Sequence, residues 1–273
     1  MADIKLVAVD MDGTFLDDGK NYNRARFAEQ YAELKARGIR FVVASGNQYY
    51  QLRSFFPDIA HEIAFVAENG AYIVEAGEDR FVGEFPHGDV TKIIDTLARG
   101  NYPELNYVLC GYHSAWYFTS TPAAYIEKMR RYCHRLQPTE RLDDINDRLF
   151  KFALNLSDEY VPVLMADIER HHAGVATAVT SGHGSVDLII PGLHKAHGLA
   201  LLQQRWGIAH EQVVAFGDGG NDLEMLSQAG FGFAMANAPD RVKAAAEYQA
   251  PSNNHEGVLE VIQQLLEGRH PFA

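Results

Sequence analysis

Leu6-Val7-Ala8-Val9-Asp10-Met11-Asp12-Gly13-Thr14 decides the architecture of this 273-residue chain. Four consecutive apolar residues read as a strand buried on both faces, and Gly13-Thr14 reads as the turn that ends it. Side chains two apart in an extended segment point the same way. The strand exit is therefore expected to carry the Asp10 and Asp12 carboxylates side by side, at the edge where open α/β sheets bind their ligands. Two unit charges ~4 Å apart repel by ~4 kcal/mol at an effective dielectric of about 20. A cation or a proton has to offset that cost.

Outward from this stretch, strand and helix alternate. The spacing of Phe27, Tyr31 and Leu34 predicts a helix over 24–37, closed by Gly38, and Arg40–Ala44 reads as a second strand. A short helix over 49–55 and a strand over 63–67 follow, ahead of Glu68-Asn69-Gly70. This rhythm predicts a parallel sheet covered on both faces. The middle differs: helices over 89–97, 123–134 and 161–172 alternate with strands over 107–110, 115–118, 150–156, 176–180 and 186–190. Helices with paired strands suggest an inserted α+β unit, placed at 84–185, within a core of 1–83 and 186–273. After Pro191-Gly192 the first rhythm resumes with a helix over 196–206 and a strand over 213–216. Gly217-Asp218-Gly219-Gly220-Asn221-Asp222 then opens a helix, and helices over 239–246 and 258–266 close the chain.

Composition narrows the function. With 47% hydrophobic and 22% charged residues the chain reads as globular. A formal net charge of -12 argues against nucleic acid and acidic membrane surfaces, which call for a basic face. It leaves room for a small anionic ligand, because local charge can oppose the total. Cys110 and Cys133 form no CxxC pair and the twelve histidines include no HExxH, which fits a reducing compartment without a zinc site. The N-terminal apolar run, broken by Lys5 and Asp10, is too short for a signal peptide, and no window approaches a membrane span. A cytoplasmic location is the expectation.

Four stations sit where predicted strands end: Asp10 with Asp12, Ser45-Gly46, Lys195 ahead of its helix, and Asp218 with Asp222. Parallel neighbours would bring all four to one sheet edge. Clustered carboxylate oxygens suit a hard divalent cation, Mg²⁺ best. An ammonium beside such a cation can hold a phosphoryl group, and a serine hydroxyl with helix-start amides adds hydrogen bonds to it. In the absence of a serine–histidine or cysteine–histidine constellation, the nucleophile is expected to be a carboxylate. A second carboxylate then protonates the leaving oxygen and later takes a proton from water.

DMDGT, the SG station, the downstream lysine and GDGGND together resemble the four motifs of the haloacid dehalogenase superfamily, over the whole chain. Motif spacing, the insertion between Ser45 and Lys195, and Asn253-Asn254-His255-Glu256-Gly257-Val258 resemble its Cof-type phosphatases. SGNQYYQL, FVAENGA and DLIIPGLHKA are similar to bacterial sugar phosphatases of that group. The resemblance implies a Rossmann-like parallel sheet core flanked by helices, with an inserted α+β cap that closes over it and selects the substrate. It implies Asp10 as nucleophile and Asp12 as general acid/base. It also implies Mg²⁺ held by the Asp10 side chain, the Asp12 backbone carbonyl and Asp218, with Asp222 an outer ligand through water or a partner orienting its neighbours. Ser45, Gly46, Lys195 and Asn221 would bind the phosphoryl group of a small phosphorylated sugar or similar metabolite. Asn47 stands where many relatives carry arginine.

Plainer roles compete for several of these residues. Ser45 before a helix can be a simple cap. Lys195 between His194 and His197 would alone be a surface lysine, and Asp218 can cap the helix near Asn221 while binding metal. His255 and Glu256 read as structural or capping, and Tyr49 and Tyr50 as packing at a domain junction. Ser181-Gly182-His183-Gly184 is the expected selector loop, since glycine permits close approach and bending. A phosphomutase of sugar phosphates and a non-catalytic sugar-phosphate sensor are the alternatives. Free phosphate as product favours the hydrolase, and an isomeric sugar phosphate favours the mutase.

Overall fold

The computed structural model describes residues 2–273. In chain order its strands are β1 (Leu6–Val9), β2 (Arg40–Ala44), β3 (Ala64–Ala67), β4 (Tyr72–Glu75), β5 (Glu78–Val82), β6 (Asn106–Gly111) and β7 (Ala115–Phe118). They continue with β8 (Leu136–Thr139), β9 (Leu149–Asn155), β10 (Thr177–Gly182), β11 (Ser185–Ile189), β12 (Val213–Gly217), β13 (Phe231–Met235) and β14 (Tyr248–Ala250). An eight-stranded sheet has the order β14-β13-β12-β1-β2-β3-β4-β5, and a six-stranded sheet the order β10-β11-β9-β6-β7-β8.

The larger sheet is parallel from β14 to β3, with β4 and β5 as an antiparallel edge. Its strands read as unbroken apolar runs because both faces are covered. Leu6, Ala8, Val42 and Val213 pack on Leu199, Leu202 and Met225. Val7, Val9, Phe41 and Val214 pack on Phe27, Leu34, Val258 and Ile262 on the other side. β1 lies between β12 and β2, with Val9 opposite Phe216 on one side and Val43 on the other. The exits of these three strands deliver Asp10, Asp218 and Ser45 to neighbouring positions. The chain leaves β1 toward β2 and later returns on its other flank, which makes this edge the switch point of the sheet.

The smaller sheet buries its own core, in which Val90, Ile93 and Leu97 of the helix His87–Arg99 and Leu164 and Ile168 of the helix Val161–His172 meet Phe152, Leu154 and Leu188. Both sheets meet in one apolar layer, since Val108, Cys110, Ala115 and Phe150 of the inserted segment join the cluster that includes Tyr49, Phe65 and Tyr72.

Two sequence expectations change. The boundary at 185/186 cuts through β11, which pairs with β9 and β10, so the inserted sheet runs to Ile189. The helix over 123–134 stops at Met129, and Leu136–Thr139 becomes β8, parallel to β7. A contact from the core fixes that break: Gln48 donates to the Arg135 carbonyl at 2.8 Å and accepts from its amide at 2.9 Å. The hairpin β4–β5 has no signal of the Asn-Gly kind. Its two-residue turn is Ala76-Gly77, both at positive φ (51° and 78°), the conformation that suits strand twist.

Candidate active site

After β1 the chain abandons the extended conformation. The Phe15 amide donates to the Asp10 carbonyl (3.2 Å) and the Leu16 amide to the Met11 carbonyl (2.9 Å), forming one wide turn with Gly13 at φ +72°. Alternation therefore lapses at Asp12, and the carboxylates of Asp10 and Asp12 face separate partners. Lys195 Nζ donates to Asp10 Oδ1 at 2.8 Å. Asp12 accepts from Lys20 Nζ (2.7 Å) and from Asn47 Nδ2 (2.7 Å). The expectation of two carboxylates side by side is corrected: Asp12 has an ammonium of its own, and the neighbours of Asp10 are Asp218 and Asp222.

Carboxylate oxygens of Asp10, Asp218 and Asp222 lie within 4.8 Å of one another. Asp222 is fully committed. Its Oδ1 accepts from Lys195 Nζ at 2.7 Å, and its Oδ2 accepts from the amides of Asp218 and Gly219 at 3.0 Å each. Asp218 accepts from Thr14 Oγ1 at 2.9 Å and packs against the loop at Gly13. Three acids with one ammonium leave an excess of negative charge. Burial, then the charge of Asp222, pushes the Asp218 carboxyl up to about 6. Burial and the same neighbour drive Asp10 well above the carboxylate range despite Lys195. Burial opposes the charge on Lys195, but Asp10 and Asp222 outweigh it and keep its proton on.

This donor set fits a hard divalent cation. It is all oxygen, and its excess charge is what a cation would neutralise. Asp222 has spent both oxygens, whereas Lys195 takes only one oxygen of Asp10 and Thr14 only one of Asp218. Asp10 and Asp218 are thus the side chains with capacity to spare.

A cavity of about 400 Å³ opens above the cluster, walled by Asp10, Asp12, Ser45, Asn47, Asp218 and Asn221 from the core. The inserted segment contributes Tyr125 and Lys128 from the helix Ala123–Met129, Asn155 from β9, and Ser181, Gly182 and His183 from the β10–β11 hairpin. The hairpin β10–β11 sits directly on the Asp218 loop, where a Cβ on Gly220 would come 2.7 Å from the Thr180 carbonyl. Lys195 and Asp222 stand one layer in from the wall. Ser45 is not a helix cap, because the helix begins at Tyr49 with Gln48 at its N-cap; its Oγ instead accepts from the Asn47 amide at 3.1 Å, within the turn that leaves β2. Asn221 donates to Asn69 Oδ1 at 3.0 Å. Tyr49 and Tyr50 pack at the junction as expected: the Tyr50 hydroxyl donates to the Tyr112 carbonyl (2.9 Å) beneath the Arg135 guanidinium.

Several residues at the site carry no sequence signal of their own. Lys20 and Lys151 line the cavity, yet no motif or spacing marks them; Glu68 and Asp187 also line it and fall within FVAENGA and DLIIPGLHKA, stretches that by themselves assign these two acids no role. Asn237 and Asn253 brace the turn after Asp10 by donating to the carbonyls of Gly13 (2.8 Å) and Leu16 (3.0 Å). Glu256 is structural, pairing with Arg26 at 2.7 Å. Cys110 and Cys133 are free and buried, and burial pushes both thiols up.

Gly13 is a sharp test of this geometry. A Cβ there would lie 2.3 Å from Asp218 Oδ2, at a φ that disfavours L-residues by roughly 1–2 kcal/mol. Gly13→Ala is expected to displace Asp218 and lower turnover about 10²-fold, the scale of a ~1 Å misplacement. Steady-state assays of the variant beside wild type check it.

Residues 7–262 match the haloacid dehalogenase-like hydrolases as a family. The chain is 53% identical over 269 residues (98% of both chains) to the 5-amino-6-(5-phospho-D-ribitylamino)uracil phosphatase YbjI of Escherichia coli. It is 26% identical to the pyridoxal phosphate phosphatase YbhA of the same organism, over 96% of this chain and 98% of that one. Among solved structures, SMU.1108c from Streptococcus mutans superposes with a TM-score of 0.93 at 37% identity, covering 97% of this chain and 99% of that one. Among the described residues no helix is long and apolar enough to cross a membrane. With three strand-exit stations and the helix-borne Lys195 gathered on one edge, and likeness running nearly end to end, the chain belongs to the haloacid dehalogenase superfamily, among its Cof-type phosphatases.

Proposed function

We propose that this protein is a Mg²⁺-dependent phosphatase of small phosphate monoesters, acting through an aspartyl-phosphate on Asp10. The observation that carries this reading is the buried cluster in which Lys195 ties Asp10 to Asp222 while Asp218 closes in from the β12 exit. Lys195 orients the Asp10 carboxylate from beneath the cavity wall, and its positive charge favours an anionic phosphoryl group above it. An oxygen of Asp10 attacks phosphorus as the ester P–O bond breaks, and the Asp12 carboxyl gives its proton to the departing alkoxide. Asp12 then takes a proton from water, whose oxygen attacks the acyl phosphate and releases orthophosphate and Asp10. Asp10, Asp218 and the Asp12 carbonyl would hold Mg²⁺, which supplies charge neutralisation at the phosphoryl oxygens.

The substrate we propose is a phosphorylated polyol or sugar, or a metabolite carrying one. The phosphoribitylaminouracil named for the 53% identical relative is the first compound to assay. The cavity supports this, since Asn47, Lys128, Asn155 and His183 give it polar walls suited to hydroxyl groups. Purified protein, with and without Mg²⁺, is expected to release orthophosphate from such esters. An isomeric sugar phosphate in place of orthophosphate would overturn the hydrolase reading in favour of a mutase.

Stability provides a second check, with a definite sign. Without metal, burial and Asp222 raise Asp218 to about 6, so through this group the folded chain binds more protons than the unfolded one between about pH 4 and 6, and Asp10 is raised in the same direction. Metal-free stability therefore falls as pH rises through that window. Mg²⁺ competes with those protons, so its stabilising effect is expected to grow from pH 5 to pH 8. At a hundredfold excess over Kd it is worth about 2.7 kcal/mol. Thermal melts in EDTA and in Mg²⁺ across this range test it, and a Mg²⁺ shift independent of pH would sink the assigned ligands.

A further inference from the structure

Two charged side chains of the inserted sheet end at the catalytic loops without belonging to the carboxylate cluster. Lys151 leaves β9 and is only 4% exposed. Its ammonium donates to the Gly46 carbonyl and lies 3.0 Å from Glu68 Oε2 and 3.7 Å from Asp187 Oδ2. Asp187 leaves β11 and accepts from Asn69 Nδ2 at 2.6 Å, and the same amide's Oδ1 accepts from Asn221 at 3.0 Å. One chain of contacts thus runs from the inserted sheet to the residue after Ser45. The other runs to the loop between Asp218 and Asp222.

We propose that Lys151 and Asp187 are positioning residues that make the geometry of both loops conditional on the seating of the inserted sheet. This rests on the phosphatase reading above for the role of those loops. Adhesion between the sheets does not need these charges. Apolar residues already join them, and a buried ion pair is often no more stable than apolar side chains of the same volume. What the charges add is direction. An ammonium aimed at one backbone carbonyl fixes where the Ser45-Gly46-Asn47 turn sits. The turn is packed tightly enough to feel it: a Cβ on Gly46 would come 3.2 Å from both Asn69 and Asp187. Lifting the inserted sheet withdraws the donor of Gly46 and the acceptor of Asn69 together, and both loops relax. Seating it restores both before the phosphoryl group reacts, so turnover becomes contingent on closure.

The test compares Lys151→Met, Lys151→Arg and Asp187→Leu with wild type in steady-state hydrolysis of a small aryl phosphate and in amide hydrogen exchange. For Lys151→Met, kcat is expected to fall about 10- to 100-fold with KM little changed. Exchange should quicken at residues 45–48, and in Asp187→Leu at residues 218–222. Lys151→Arg keeps a donor and should recover part of kcat. Should Lys151→Met fail to fold, Lys151→Met/Glu68→Gln removes the stranded carboxylate and takes its place. A folded variant with wild-type kcat and unchanged exchange at 45–48, altered only in Tm, overturns the proposal. Wild-type protein that hydrolyses no phosphate ester would instead remove the phosphatase reading, and the exchange data would decide the coupling of the loops on their own.

Discussion

Asp10→Asn is expected to lower turnover by at least about 10⁴-fold while leaving the fold as stable as before or more so. The loss follows from chemistry: a carboxamide oxygen is too weak a nucleophile to open a phosphate ester. The stability follows from electrostatics. The cluster holds three acids and one ammonium in a buried site, and burial together with Asp222 already disfavours a charge on Asp10. Asparagine keeps an oxygen for the 2.8 Å bond from Lys195 and removes one of the repelling charges. Calorimetry without metal should show an unchanged or raised Tm, and acid-quenched protein should carry no phosphoryl-enzyme adduct. Substantial residual hydrolysis with an adduct elsewhere would falsify covalent catalysis by Asp10.

Lys195→Met reverses that pattern and is expected to damage both activity and stability. The lysine is buried on the helix Lys195–Trp206, bonded to Asp10 and Asp222 at 2.8 and 2.7 Å. Removing one partner of a buried ion pair costs about 3–5 kcal/mol, because the charges left behind are uncompensated. Such a loss corresponds to roughly 6–20 °C in Tm for a domain of 150–250 residues. Turnover should fall by at least about 10²–10³-fold, the scale of one lost donor at a developing anion. Adding Asp222→Asn should restore much of the Tm and none of the turnover. Recovery of both would mean that the lysine only balances charge.

The candidate site was partly legible in the chain itself. The exits of β1, β2 and β12 were readable because strands buried on both faces need unbroken apolar runs, and the polar residues that interrupt them mark the ends. Ser45 shows the limit of such reading. A serine before a helix looks the same as a cap or as a ligand-binding hydroxyl, and here it is no cap: the hydroxyl accepts from the Asn47 amide in the turn before the helix, and the residue lines the cavity. The helix expected over 123–134 fails for a related reason. Local propensity favours its continuation, but Gln48, 87 positions away, takes both backbone groups of Arg135 and turns the chain into β8.

Sequence alone determined the alternating core, the presence of an inserted unit and the residue types waiting at each strand exit, because those depend on periodicity and on turn chemistry within a few positions. Tertiary structure alone decided which oxygens are free. Asp12 turned to Lys20 and Asn47, Asp222 spent both oxygens on Lys195 and its own loop, and Lys151 reached a carbonyl 105 positions away. The reason is physical: the charge state and partners of a buried polar group are set by what surrounds it in space, and neighbours drawn from distant strands leave no periodic trace along the chain.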